Sequence, residues 1–395
     1  MIEKELGIYI HIPFCKKKCK YCDFISYCDK QNEINDYIQS LKNEIRNWKN
    51  KLKDKIDFNV RYKITSVYIG GGTPSYINEE KIREIINEIN NIIQEINKTK
   101  EKIEITIEVN PGTVNIDKIK MYKDIGINRI SIGLQSTENV LLKNIGRIHT
   151  WEDFLNTYEI IKNENFNNCN IDLMIGLPDQ NLNDVKKSIQ KVLDLKPQHI
   201  SVYSLILEEN TPLFYEIENQ IQKLPNEDIE RKMYWYAKRT LEKNGYIQYE
   251  ISNFSKKGFI SKHNWNCWHQ KEYIGFGIAA HSYINNIRFS NTPNIEDYID
   301  YWYNNNLQKL NQVSKIEEVQ TIEDKQKEYM LLGLRTLEGV SINVFKNKFN
   351  KNPIYLFRNE LNKLVKEKLI LVDGNYIKLT EKGIDFANIV WEEFI

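Results

Sequence analysis

Cys15, Cys19 and Cys22 stand at C-x3-C-x2-C spacing in HIPFCKKKCKYCDF, residues 11–24. A closed structural zinc site takes four Cys or His ligands in a tetrahedron, and here Phe24 follows where a fourth cysteine could stand. Three thiolates can instead hold three corners of a cubic four-iron, four-sulfur cluster and leave the fourth iron open to an exogenous ligand. An open corner implies ligand exchange or chemistry. A zinc site completed by His11 or by a remote ligand is the alternative that the spacing leaves standing. Lys16, Lys17, Lys18 and Lys20 would favour thiolates and offset the charge of an anionic cluster, or simply form a solvated loop.

The elements that must position these thiols read as successive βα units. Strands are expected at Gly7–Ile12, Ser66–Ile69, Ile103–Val109, Arg129–Gly133, Asn170–Ile175 and His199–Leu205, separated by amphipathic or polar segments. Six such units predict an α/β chain whose parallel strands curl into a partial (β/α)6 barrel, with chemistry on the loops after the strands. The first cysteine, GGGTP, EVNP, SIGLQS and IDLMIGLP fall on the ends of strands one to five. Residues 1–210 are read as this barrel. Residues 211–302 are read as a smaller α+β extension, with a helix near Asp228–Lys243, an extended Tyr246–Phe254 and the aromatic segment KHNWNCWHQKEYIGFGIAAHSY. A linker is expected over 303–325. A winged-helix-like domain over 326–395 follows, beginning with a helix at Gln326–Leu337 and carrying the strand pair LILVDG and NYIKLT. Some winged helices bind DNA, but the mixed charges of IYLFRNELNKLVKEK argue against it here.

Bulk properties exclude several classes. Lys and Arg number 55 against 54 Asp and Glu in 395 residues, so no overall basic field attracts nucleic acid or anionic membrane. No run approaches the ~18 apolar residues of a membrane span, and Met1 leads within a few residues into GIYIHI, so neither an integral membrane segment nor a signal peptide is expected and the compartment is read as cytoplasmic. Cys28, Cys169 and Cys267 are scattered, which does not read as a disulfide framework. The Asn- and Ile-rich INEINNIIQEINKTK is read as compositional bias.

The cysteine motif directly after a first strand, with Tyr21 before the last cysteine and GGGTP after the second strand, resembles the radical S-adenosylmethionine (SAM) superfamily. HIPFC, YIGGGTPS, EVNPGT, GINRISIGLQS, IGRIH, NIDLMIGLP, YEISNF and HNWNCW, in this order, resemble the branch that holds the oxygen-independent coproporphyrinogen III dehydrogenases and the HemW-type heme chaperones. The resemblance implies a [4Fe-4S] cluster on Cys15, Cys19 and Cys22, with SAM chelating the open iron. It implies SAM contacts from Tyr9, Tyr21, Gly71, Gly72, Thr73, Glu108, Gln135, Arg147, Asp172 and Ile206. In the dehydrogenases the third cysteine is followed one residue later by another. Phe24 and the early first strand therefore point to the chaperones.

His263-Asn264-Trp265-Asn266-Cys267-Trp268 resembles the HNxxYW signature associated with heme binding in the chaperones, with Cys267 where Tyr is usual. The resemblance implies heme contacts from His263, Asn264, Cys267 and Trp268; were the segment helical, His263 and Cys267 would share a face at i, i+4. His281 is read as a second ligand or, preferably, a core histidine. The function this implies is binding heme and passing it to an unidentified acceptor protein, with no catalytic residue assigned. The alternative is a radical SAM dehydrogenase acting on coproporphyrinogen III. A zinc-containing winged-helix regulator is a third reading, which leaves the five loop motifs without a purpose.

Overall fold

The computed structural model describes residues 2–56, 60–97, 102–304 and 313–395. Six parallel strands form its centre: β1 (Ile2–Ile12), β2 (Val60–Gly71), β3 (Glu104–Val109), β4 (Arg129–Gln135), β5 (Cys169–Ile175) and β6 (His199–Ser204). They lie in chain order, each hydrogen-bonded to the next, as the six-unit barrel requires. The sheet stays open and is widened at both edges. β7 (Ile247–Glu250) and β8 (Asn253–Ser255) add to β6 antiparallel, while β9 (Glu272–Phe276) returns to pair parallel with β1, followed by β10 (His281–Ile284), β11 (Ile287–Asn291) and β12 (Ser314–Val319). Residues 211–302 thus extend one continuous sheet on both sides rather than standing apart.

Within the six central strands, isoleucine alternates with polar or aromatic residues, and the pleat sends the two sets to opposite faces. Ile8, Ile10, Val67, Ile69, Ile105, Ile107, Ile130, Ile132, Ile171 and Ile200 face the outer helices and join the main core. The intervening positions, among them Glu108, Ser131, Gly133, Asp172 and Tyr203, face the concave side and its chamber. The outer helices are α1 (Ile34–Ile56), α2 (Glu79–Ile96), α3 (Ile116–Asp124), α4 (Asn139–Asn144), α5 (Trp151–Asn163) and α6 (Leu182–Asp194). α2 shows why they form. Asn78 caps its first turn, and Ile82, Ile85, Ile86, Ile89, Ile92 and Ile96 recur at helical spacing and are almost wholly buried. Removing that stripe from water contributes on the order of 10 kcal/mol before conformational entropy is subtracted. The Ile-rich stretch read as compositional bias therefore supplies four of these six residues, Ile86, Ile89, Ile92 and Ile96.

Next come α7 (Pro212–Glu218), α8 (Glu227–Lys243), α9 (Lys262–Trp268) and α10 (Ile295–Trp302). The expected linker differs from what is found. Residues 305–312 lie outside the described residues, but Ser314–Val319 is an edge strand of the large sheet and a helix runs from Ile322 to Gly333. That helix starts four residues earlier than expected because Thr321 and Asp324 form a capping box. The C-terminal region has a core of its own around Met330, Phe345, Leu364 and Ile377. Its small sheet, built from β13 (Val340–Ser341), β14 (Ile370–Asp373) and β15 (Tyr376–Leu379) in the order β13-β15-β14, matches the winged-helix-like expectation. No described helix is long and apolar enough to cross a membrane.

Candidate functional site

The cysteine loop leaves β1 and is fastened by its backbone. Cys15 N–H donates to Tyr27 O, Tyr27 N–H to Pro13 O, Thr73 N–H to Phe14 O, and Lys20 N–H to Ile145 O. Cys15 is buried, with Sγ 3.4 Å from Thr73 Oγ1. Gly72 is required beside it: a Cβ there would stand 2.9 Å from Cys15 Sγ and 3.1 Å from the Phe14 backbone. Arg147 Nη1 approaches Cys19 Sγ at 3.5 Å, and Lys20 pairs with Glu216 at 2.7 Å, closing the loop onto α7. Burial raises the Cys15 thiol and pushes Cys22 up to about 11. Both would need a cation beside them to deprotonate at neutral pH.

All three thiols rim a chamber of about 470 Å³ at the C-terminal ends of the strands. Among the described residues, no three His, Cys, Asp or Glu side chains close on one point as a single metal ion requires. A wider group, spanning the chamber mouth, suits this donor set better. His11 cannot complete a zinc site. Its Nε2 donates to Ile25 O at 2.9 Å and its Nδ1 accepts from Tyr9 OH at 3.0 Å, so both ring nitrogens are occupied.

Nine of the ten residues expected to contact SAM line this chamber: Tyr21, Gly71, Gly72, Thr73, Glu108, Gln135, Arg147, Asp172 and Ile206. Ile206 is 69% exposed at its rim, and the tenth, Tyr9, lies beneath, stacked near Tyr68 and bonded to His11. Glu108 accepts from Tyr68 OH at 2.8 Å; burial pushes its carboxyl up to about 7, and nearby Asp172 adds to the rise. Asp172 accepts from Asn170 Nδ2 at 2.7 Å and Ser131 Oγ at 3.2 Å, and burial raises it as well. Among the described residues no cationic side chain is hydrogen-bonded to either carboxyl, though the buried Arg129 acts on both from nearby, and the pair forms a receptor for a positively charged, hydrogen-bonding ligand. Gln135 holds φ 71°, a strained backbone for a non-glycine residue, where β4 shifts register against β5; its side chain accepts from Tyr203 OH at 2.9 Å.

Sequence reasoning missed Asn110, Tyr68, Ser131 and Tyr203. Asn110 donates to Thr73 Oγ1 at 2.9 Å and accepts from Arg147 Nη2 at 3.0 Å, joining two expected site residues. For two of them a signal was available: Ser131 and Tyr203 stand two residues before Gly133 and Leu205, which also line the chamber.

The segment HNWNCW is helical, as α9, but it does not join the cysteine chamber. His263 is buried on the concave side against the middle of β1 and β2, with Nδ1 3.1 Å from Ser66 Oγ and its ring 5.4 Å from that of Tyr68. Burial lowers it to about 4, so it is neutral. Cys267 is mostly covered, and desolvation pushes its thiol up to about 11. Arg335 covers the Trp268 ring at 4.4 Å. These three side chains rest in contacts with the protein, and Asn264 is half-buried. A seven-residue helix buries whichever face its neighbours dictate, which i, i+4 spacing alone does not reveal. His281 also differs from expectation, standing exposed at the start of β10 rather than in the core.

Comparison with known proteins agrees with this architecture. Residues 9–192 match the Radical SAM superfamily and residues 321–386 the HemN C-terminal domain. The chain is 36% identical to heme chaperone HemW of Lactococcus lactis, covering 100% of this chain and 98% of that one. It is 35% identical to heme chaperone HemW of Bacillus subtilis, covering 98% of each. Among solved structures it is similar to coproporphyrinogen III oxidase (HemN) from Escherichia coli, a radical SAM enzyme, with TM-score 0.81 and 20% identity over 99% of this chain and 90% of the other. At that identity the likeness carries the fold. With relatives above one-third identity along its whole length, the chain belongs to the HemW family of the radical SAM superfamily.

Proposed function

We propose that this chain is a cytoplasmic heme chaperone that carries a [4Fe-4S] cluster and SAM at the mouth of its barrel and passes heme to an acceptor protein. The observation that carries the reading is the end-to-end likeness to proteins named heme chaperone HemW, across barrel and C-terminal domain alike. Phe24, 62% exposed at the chamber rim where the dehydrogenases place a further cysteine, supports it.

The residues present fit both cofactors. Cys15, Cys19 and Cys22 would hold three irons, and the glycine cradle at Gly71 and Gly72 leaves room beside Cys15. When bound, the cluster and SAM supply one-electron chemistry. Glu108 and Asp172 would accept hydrogen bonds from the cationic ligand. Arg147, tied to Asn110 and to the Gly133 carbonyl, holds a positive charge beside Cys19 and the anionic cluster. Tyr21 packs with Met174, Ile145 and Leu141 to wall off water on one side.

The test is heme retention by anaerobically reconstituted protein, read as Soret absorbance after gel filtration, beside an assay of coproporphyrinogen III conversion with SAM and a reductant. Near one-to-one retention without conversion is expected. Conversion without retained heme would establish the dehydrogenase instead.

A further inference from the structure

We propose that heme is held in a second cleft, at the end of the barrel opposite the cysteines, with the His269 imidazole as its axial iron ligand; the assignment rests on the heme-chaperone reading above. The cleft encloses about 880 Å³, within the ~300–1,000 Å³ of small-molecule sites. Glu104, which opens β3, and Asn168, just before β5, lie on its wall, so it sits at the N-terminal ends of the parallel strands. The residues around α9 form the opposite wall.

His269 directly follows α9. Its Nδ1 donates to the Trp265 carbonyl at 2.8 Å, which places the proton on Nδ1 and leaves the Nε2 lone pair free for a metal. Nε2 has no hydrogen-bond partner among the described residues. Burial lowers the imidazole below its ordinary range, which favours the neutral, ligating form. The Trp265 ring, with centroid 4.1 Å from that of His269, fixes the orientation of the imidazole. Half-buried Phe259 lines the same cleft, backed by the buried Phe166, and offers apolar surface to a flat macrocycle.

The charge balance suits heme propionates. Four lysines, Lys102, Lys123, Lys262 and Lys271, line the cleft with two acids. Glu104 is already engaged by the backbone N–H groups of Lys262 and His263, and Glu5 by Lys271. Of these four lysines only Lys271 has a carboxylate partner among the described residues; Lys123 donates to the Glu164 carbonyl, and Lys102, Lys123 and Lys262 remain as cations for the two propionates. His263, bonded to Ser66 within the barrel, faces a different environment.

The test loads hemin onto the full cluster-reconstituted chain. His269→Gly is compatible with the helix-terminal position and should lose heme retention at least tenfold, with imidazole restoring the Soret band. The double substitution Lys102→Glu and Lys262→Glu, on exposed or half-buried positions, should weaken hemin binding several-fold, and covers the case in which His269→Gly does not fold. Retention by the wild type with unchanged spectra in His269→Gly, or unchanged affinity in the lysine variant, overturns this site and leaves the chaperone reading standing. No retention by the wild type overturns both.

Discussion

Glu108 shows how one side chain joins sequence, burial and function. Its place at the end of β3 puts it on the concave face, and burial with a second carboxyl nearby pushes it up to about 7. Before a ligand binds, Glu108 is therefore mostly neutral below pH 7 and mostly carboxylate above it. A cationic ligand binds the carboxylate. SAM affinity of the cluster-loaded protein, measured by calorimetry, should fall below pH 7 by up to about tenfold per pH unit. Glu108→Gln should bind weakly and lose this component of the pH dependence, whereas an unaltered profile would remove Glu108 from the site. Much of the chamber was legible in the residue pattern because cysteine spacing and strand-end polar groups are local signals. Asn110 was harder to see: its importance comes from linking Thr73 to Arg147, which approach only in the folded barrel.

Strands and helices show the same division between local and distant information. The six central strands were readable from alternation and their order from the βα repeat. The pairing of β9 with β1 was not, since it joins segments more than 260 residues apart through Leu6↔Glu272 and its neighbours. Glu44 on α1 helps secure that return. It accepts from Gly277 N–H at 2.9 Å after β9, from Asn291 Nδ2 at 2.7 Å on β11 and from Tyr298 OH at 2.5 Å on α10. Burial pushes Glu44 up to about 7 from 4.5, so the folded state binds its proton more tightly than the unfolded chain. Its protonation-linked contribution is fully present below pH 4.5, declines as pH rises through about 7 and is flat above. Glu44→Ala should flatten this component and, by leaving buried donors unpaired, lower stability by about 3 kcal/mol. Denaturant titrations at pH 5.5 and 8 measure both effects; equal losses at the two pH values would contradict the linkage.

The whole molecule couples two hydrophobic cores through polar and aromatic contacts. Arg335 reaches back from the C-terminal region to the buried Glu250 at 3.2 Å and covers Trp268, while Trp235 Nε1 donates to Asp385 at 2.8 Å. The winged-helix pattern was legible because it is built from local helices and a hairpin; its attachment to α8, α9 and β7 depends on side chains distant in sequence. The cysteine chamber and the α9 cleft lie at opposite ends of one barrel, so the account requires cluster and heme to reside on one chain at the same time. The deciding measurement is non-heme iron, acid-labile sulfide and heme on one anaerobic, gel-filtered sample, beside the Cys15→Ser, Cys19→Ser, Cys22→Ser triple variant. About four irons, four sulfides and one heme per chain are predicted for the wild type, with the triple variant losing the non-heme iron and keeping the heme. Loss of heme together with the cluster would contradict separate sites, and absence of heme from the wild type would contradict the chaperone function itself.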